Sequence, residues 1–294
     1  MSFIARYSCI LRRAAALAGA LLFALPAARA WDATEEWGDV IIAAARRHDT
    51  YPVLSSYGAD FDLPTAYRLQ RRLVEAIYAP ADIAGFRATL VGRIAQFRYR
   101  APEALAGVVA RAGRIPRDAE INLADYQQAV VSAEIAIVLD EAVKRPLPDA
   151  RRIPELVRAA MPAIVITDQR FEPGPPPRGS DLVATNLGVT NYILGRPLDD
   201  KQHAALNEVF VEISRNGDVL DRGKGRNVMD DQYQALLWLI NKLVAQGWRL
   251  EPGQLLFTGA LGDIIPVKPG EYVARFRDLA ELRFLATYAA KKTP

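Results

Sequence analysis

The chain reads as an α+β protein, with helices first and strands after. Apolar residues recur three or four apart at Trp37, Val40, Ile41 and Ala44, and again at Ala66, Leu69, Leu73, Ala76 and Ile77. That spacing marks one buried face of a helix. Past residue 80, short apolar runs and period-two stretches take over, bounded by Gly and Pro, and these read as strands and turns.

The first thirty residues stand apart. Arg6, Arg12 and Arg13 precede an apolar run from Ala14 to Leu25, and Ala28-Arg29-Ala30 fits a small-residue cleavage rule. The run is short of the roughly 20 residues a membrane span needs. It predicts a signal peptide cut after Ala30, with an uncleaved anchor as the alternative, and hence a periplasmic or secreted protein. Removing its four arginines takes the formal charge from +3 to −1. Nothing then points to nucleic acid or to a stable membrane span as partner. Cys9 is the only cysteine, so the remaining chain has neither disulfide nor thiol. Residues 31–80 read as a helical segment and 81–294 as the main domain.

Within the helical segment, Tyr51-Pro52 ends the first helix. Asp62 is a candidate N-cap for the second, with Pro64 in its first turn. Ile135 to Leu139 and Ala129 to Val131 are apolar, and between them lies one acid, Glu134. A carboxylate in such a strand is costly unless paired or metal-bound. Pro162 to Asp168 is a second apolar strand. Arg215-Asn216-Gly217-Asp218 is a hairpin turn, and Met229 to Gln246 an amphipathic helix. Glu251 to Phe284 reads as a β-meander, with Leu255 to Thr258 its first strand and a glycine-bounded loop after it. Such a loop lets backbone approach a ligand closely. The expectation is a sheet edge around which a pocket is built, the alternative a plain structural hairpin.

The meander's Pro-Gly-Gln, Thr-Gly, Pro-Val-Lys-Pro-Gly-Glu and Leu-Arg-Phe resemble the hydratase/decarboxylase branch of the fumarylacetoacetate hydrolase superfamily, the group of 2-hydroxypenta-2,4-dienoate (2-oxopent-4-enoate) hydratases. The similarity extends over about residues 60–285. It includes Tyr67 to Val74, the strand around Arg87, Ala129 to Leu139, Pro162 to Asp168, Asp181 to Asn186, and Trp238 to Leu243. The resemblance implies a mixed β-roll after the N-terminal helices. It implies a lyase acting on a small carboxylate such as a 2-hydroxydienoate, and an Mg²⁺ or Mn²⁺ cofactor held by three acids. Those positions are Ser132, Glu134 and Val165 here, so only Glu134 is a retained ligand, and one glutamate with a hydroxyl is a poor site for a hard cation.

By the same resemblance, Glu134 and Asp168 are candidate acid/base residues. Arg87 stands at a lysine position and is suited to gripping a carboxylate; a surface ion pair is the alternative. Asn186, Thr258, Gly259 and Ala260 are candidate substrate contacts, through an amide or backbone N–H groups. Asn241 and Lys242 read as structural. His48 and His203 are far apart and support neither a triad nor a histidine metal site, and Gly223 to Arg226 lacks the spacing of a phosphate loop. Two functions stay open: a divergent lyase, and a non-catalytic carboxylate-binding or assembly protein on the same fold. A homo-oligomer is expected.

Overall fold

A computed structural model describes residues 33–57 and 62–288; the expected signal peptide lies outside them. Two helices open the chain, α1 (Ala33–Arg47) and α2 (Leu63–Ile77). Asp62 caps α2 as expected, its side chain accepting from the N–H of Thr65 at 2.8 Å. Then follow β1 (Ile83–Thr89), α3 (Arg93–Arg98), β2 (Leu105–Ala110), β3 (Ala119–Asn122), β4 (Ala129–Leu139), α4 (Ile153–Leu156), β5 (Val157–Asp168), α5 (Gly179–Ala184) and β6 (Val189–Leu194). After α6 (Asp200–Ala204) come the hairpin β7 (Phe210–Arg215) and β8 (Asp218–Lys224), then α7 (Gln232–Ala245). Four strands close the fold: β9 (Leu255–Ala260), β10 (Ile265–Pro266), β11 (Gly270–Phe276) and β12 (Ala280–Thr287). The α+β expectation is met.

The strands form two sheets. One is seven-stranded in the order β2-β1-β9-β4-β5-β6, with β10 paired to β4; the other runs β3-β12-β11-β7-β8. The expected meander therefore does not lie in one sheet and is not an edge. Strand β9 runs between β1 and β4 at the centre of the larger sheet, while β11 and β12 belong to the smaller. The reason is legible in hindsight: Leu255, Leu256 and Phe257 are all buried, and a strand apolar on both sides suits a sheet interior.

The larger sheet curls on itself. Ala84, Val109, Ala136, Ala163, Val165, Tyr192 and Phe257 come from six of its strands, yet they form one apolar cluster. Beyond β2, the N–H of Ile115 donates to the carbonyl of Tyr192 on β6 at 3.0 Å, so the two outer strands approach. This small cluster fills the inside of the roll. The outer face, with Ile135, Ile137, Ile164 and Ile166, packs into a larger core shared with α1, α2 and α7. Gly85 is required where β1 meets β9: a Cβ there would fall 1.9 Å from the carbonyl oxygen of Leu255.

Candidate active site

Strands β4 and β5 pair antiparallel, with Ser132 opposite Val165, Glu134 opposite Ala163 and Val130 opposite Thr167. Opposed residues share a face. Ser132, Glu134, Val165 and Thr167 therefore all point into the roll. Arg87 joins them from β1. Its Nη2 and Nε both donate to Oε1 of Glu134, at 2.7 and 3.0 Å. Its Nη1 donates to the Thr167 hydroxyl at 2.7 Å, and Nη2 also reaches the Ser132 hydroxyl at 3.4 Å. Ser132 in turn donates to Oε1 of Glu134 at 2.9 Å. Glu134 is fully buried, and Arg87, Ser132 and Thr167 are nearly so.

Two valences are left over. Oε1 accepts three hydrogen bonds, but Oε2 of Glu134 is buried with no partner. A guanidinium has five N–H groups; four bonds from Arg87 are made within the cluster, so one has no partner among the described residues. An unsatisfied buried polar group costs about 1–3 kcal/mol and marks a place for a ligand group or water. Arg87 and Thr167 face a cleft of about 20 Å³, also lined by Thr89, Tyr99, Leu187 and Ile264. Glu134 does not line it.

The other expected site residues lie elsewhere. Asp168 is opposite Ala129, five residues along the strand from the position facing Glu134, which is roughly 17 Å at strand rise. It also turns to the opposite face from Thr167. Its Oδ1 accepts from the N–H groups of Gln127 and Gln128, both at 2.8 Å, and its Oδ2 from Nε of Arg170 at 2.6 Å. It borders a separate cleft of about 320 Å³ with Tyr126, Arg170 and Asn191. Burial, reinforced by the Asp168 charge, pushes the Tyr126 phenol up to about 12, and that phenol donates to Asn191 at 2.8 Å.

Asn186 uses both ends of its amide on one residue. Oδ1 accepts from the N–H of Val108 at 2.8 Å, and Nδ2 donates to its carbonyl at 3.0 Å. It thereby closes the free edge of β2. The Thr258 hydroxyl turns outward to Oε1 of Gln232 on α7, at 2.7 Å. Gly259 has φ +116° and packs closely against Val91. Ala260 stands opposite Glu134, and the N–H after it, of Leu261, donates to the carbonyl of Ala133 at 2.9 Å. Of the expected contacts, then, only Arg87 and Glu134 meet side chain to side chain, with Ala260 alongside as backbone. Arg87 is neither a surface residue nor a free one. Thr167 escaped the sequence reading, although period two places it on the face of Val165.

The comparisons with known proteins bear on this arrangement. No family model matches the chain. Over 165 residues it is 30% identical to a 2-keto-4-pentenoate hydratase of Paraburkholderia phymatum, covering 55% of this chain and 62% of that one. Over 246 residues it is 24% identical to a 4-oxalocrotonate decarboxylase of Pseudomonas putida, covering 82% and 91%. The chain is thus similar to members of the hydratase/decarboxylase branch of the fumarylacetoacetate hydrolase superfamily. The fold agrees. A 4-oxalocrotonate decarboxylase from Pseudomonas putida G7, solved with magnesium and adipate, superposes with a TM-score of 0.78 at 20% identity, over 86% of this chain and 97% of the other. A fumarylpyruvate hydrolase from Pseudomonas aeruginosa, solved with Mn²⁺ and pyruvate, gives 0.52 at 13% identity, over 72% and 99%. The match to the hydratase spans somewhat under two thirds of that enzyme's length.

The branch implies a divalent cation, and the residues present do not fit one. Hard cations take several oxygen ligands, carboxylates among them. The face holds one carboxylate, whose Oε1 already accepts three hydrogen bonds, and Val165 offers no donor atom. Asp181 is engaged with Ser55, accepting from its N–H at 2.9 Å and its hydroxyl at 2.7 Å. Among the described residues no group of three or more His, Cys, Asp or Glu is arranged to hold a metal ion.

Proposed function

We propose that this chain is a lyase of the hydratase or decarboxylase kind, acting on a small 2-oxo or 2-hydroxydienoic acid. The kinship supports the class of reaction. The observation that carries the site is the buried pairing of Arg87 with Glu134 inside the roll, with Oε2 of Glu134 left without a partner.

Ketonisation of a 2-hydroxydienoate ahead of water addition and loss of CO₂ from a vinylogous 2-oxo acid share one demand: each places negative charge on the 2-oxygen, as the enol O–H or the C–C bond breaks, before carbon is protonated. A fixed cation beside that oxygen lowers the barrier more in a dry site than in water. Arg87 meets that demand and also suits the substrate carboxylate, but it holds its protons at neutral pH and cannot shuttle them. Proton transfer is assigned to Glu134: in hydration Oε2 takes the enol proton and delivers it to the diene terminus, after which water adds across the enone so formed; in decarboxylation CO₂ departs and a proton that Oε2 has drawn from water goes to carbon. Asp168 faces another cleft and is not part of this scheme. The cleft has a volume of about 20 Å³ and Glu134 lies outside its lining, so the scheme requires it to widen before a substrate meets Oε2. The reading further includes export by the N-terminal thirty residues and a homo-oligomeric state. Mature protein from a periplasmic fraction should then begin at Trp31.

The test is an assay of the purified chain on 2-hydroxypenta-2,4-dienoate and on 4-oxalocrotonate. Turnover of either is expected. Glu134→Gln and Arg87→Met should each lower kcat/KM at least about a hundredfold, the usual weight of a positioned acid/base or anion-binding group. Absence of turnover on both, or full activity in Glu134→Gln, would overturn the reading.

A further inference from the structure

The implied cation and the residues present disagree, and the disagreement has a structural form. We propose that the Arg87 guanidinium takes the place of a divalent cation in this chain and supplies the positive charge there, so that the site assembles without metal.

Three observations converge on it. Ser132, Glu134 and Val165 share one face by register, and the guanidinium is bonded to two of the three. It takes Oε1 of Glu134 twice, at 2.7 and 3.0 Å, and approaches Ser132 at 3.4 Å. The third, Val165, belongs to an apolar wall with Tyr192 and Phe257, a surface that repels a hydrated ion. The pair is also electrically closed. One buried carboxylate and one buried guanidinium cancel, and the remaining guanidinium bonds go to neutral hydroxyls, of Thr167 at 2.7 Å and Ser132. A further two positive charges would meet no compensating anion in a low-dielectric interior, where unpaired charge is expelled. Arg is suited to the role, since it is permanently charged and its planar donors fix direction, as a coordination shell otherwise would. The inference holds whether or not the chain turns over a 2-oxo acid.

Metal content and thermal stability test it without reference to activity. The full chain is expressed in medium supplemented with Mg²⁺ and Mn²⁺ and purified without chelator. Elemental analysis should find these metals far below one per chain, and neither MnCl₂ nor EDTA should move the Tm. One Mn²⁺ per chain, lost in Glu134→Gln, would overturn the proposal. A second arm probes the guanidinium itself. Arg87→Ala should lower the Tm, and millimolar methylguanidinium should restore part of the loss, whereas lysine-like methylammonium should restore less. Arg87→Ala with an unchanged Tm would also overturn it. A third arm reverses the substitution: R87K/S132E/V165E, if folded by circular dichroism, should gain a Tm that rises with Mn²⁺ and falls with EDTA. A folded triple variant indifferent to Mn²⁺ would count against the proposal, because the backbone would then not be a cation cradle at all.

Discussion

Glu134 is the one acid in an eleven-residue strand, and all its stabilisation comes through one oxygen. Arg87 and Ser132 converge on Oε1 while Oε2 stays bare. A buried pair of this kind stabilises little against an apolar replacement of equal volume, but breaking it leaves a stranded charge, at about 3–5 kcal/mol. Arg87→Met and Glu134→Leu should each lose stability on that scale. The double variant should lose far less than the sum, because neither charge then remains. Urea unfolding of the four proteins in a double-mutant cycle measures this; additive losses would show that the two side chains are not coupled. Conformity with the sequence reading was partial here. That Glu134 needs a partner followed from its apolar neighbours. That the partner is Arg87, forty-seven residues earlier, did not, since two strands must first be brought to either side of β9.

At the scale of elements, the roll rests on close contacts between backbones. Strand β1 lies parallel to β9, with Gly85 beside Leu255, and a methyl group at Gly85 would collide with backbone that cannot move without breaking the pairing. Gly85→Ala should therefore abolish soluble expression or lower the Tm by more than ten degrees. Gly92→Ala, with nothing within 4 Å of the added carbon, should change it by a degree or two. Comparable losses at both positions would sink the account of β1–β9 packing. The three long helices and most strands were legible from periodicity, including α2 with its cap, β4 with its single acid and the Asn216-Gly217 turn, whose φ values are 51° and 89°; the short helices α3 to α6 were not. The destination of β9 was not, because a strand's alternation says which faces are covered and not which strands cover them.

For the whole molecule, stability at high pH follows from buried phenols. Burial pushes Tyr51 and Tyr67 each up to about 12, from an ordinary 10.0. The Tyr67 oxygen accepts from the N–H of Ala106 at 3.0 Å, and Tyr51 stacks obliquely on Phe171, ring centroids 6.4 Å apart. A phenol harder to ionise folded than unfolded contributes in full below pH 10, and that contribution is lost as pH rises from 10 to 12. Urea midpoints should thus fall across this window. The fall should be shallower in Tyr51→Phe and Tyr67→Phe, and the ultraviolet phenolate signal should appear with unfolding. Midpoints as steep in both variants as in the parent would place the alkaline sensitivity elsewhere.

The sequence alone determined what each segment is made of. It specified where the long helices and most strands run, and that one strand carries a carboxylate in need of a partner. Only the tertiary structure decided that Arg87 is the partner of Glu134, and that Asp168, Asn186 and Thr258 turn away from it. The physical reason is that burial and pattern are local properties of a chain, readable within a few residues. A charge's partner is fixed by sheet order, register and curl, which depend on every strand at once.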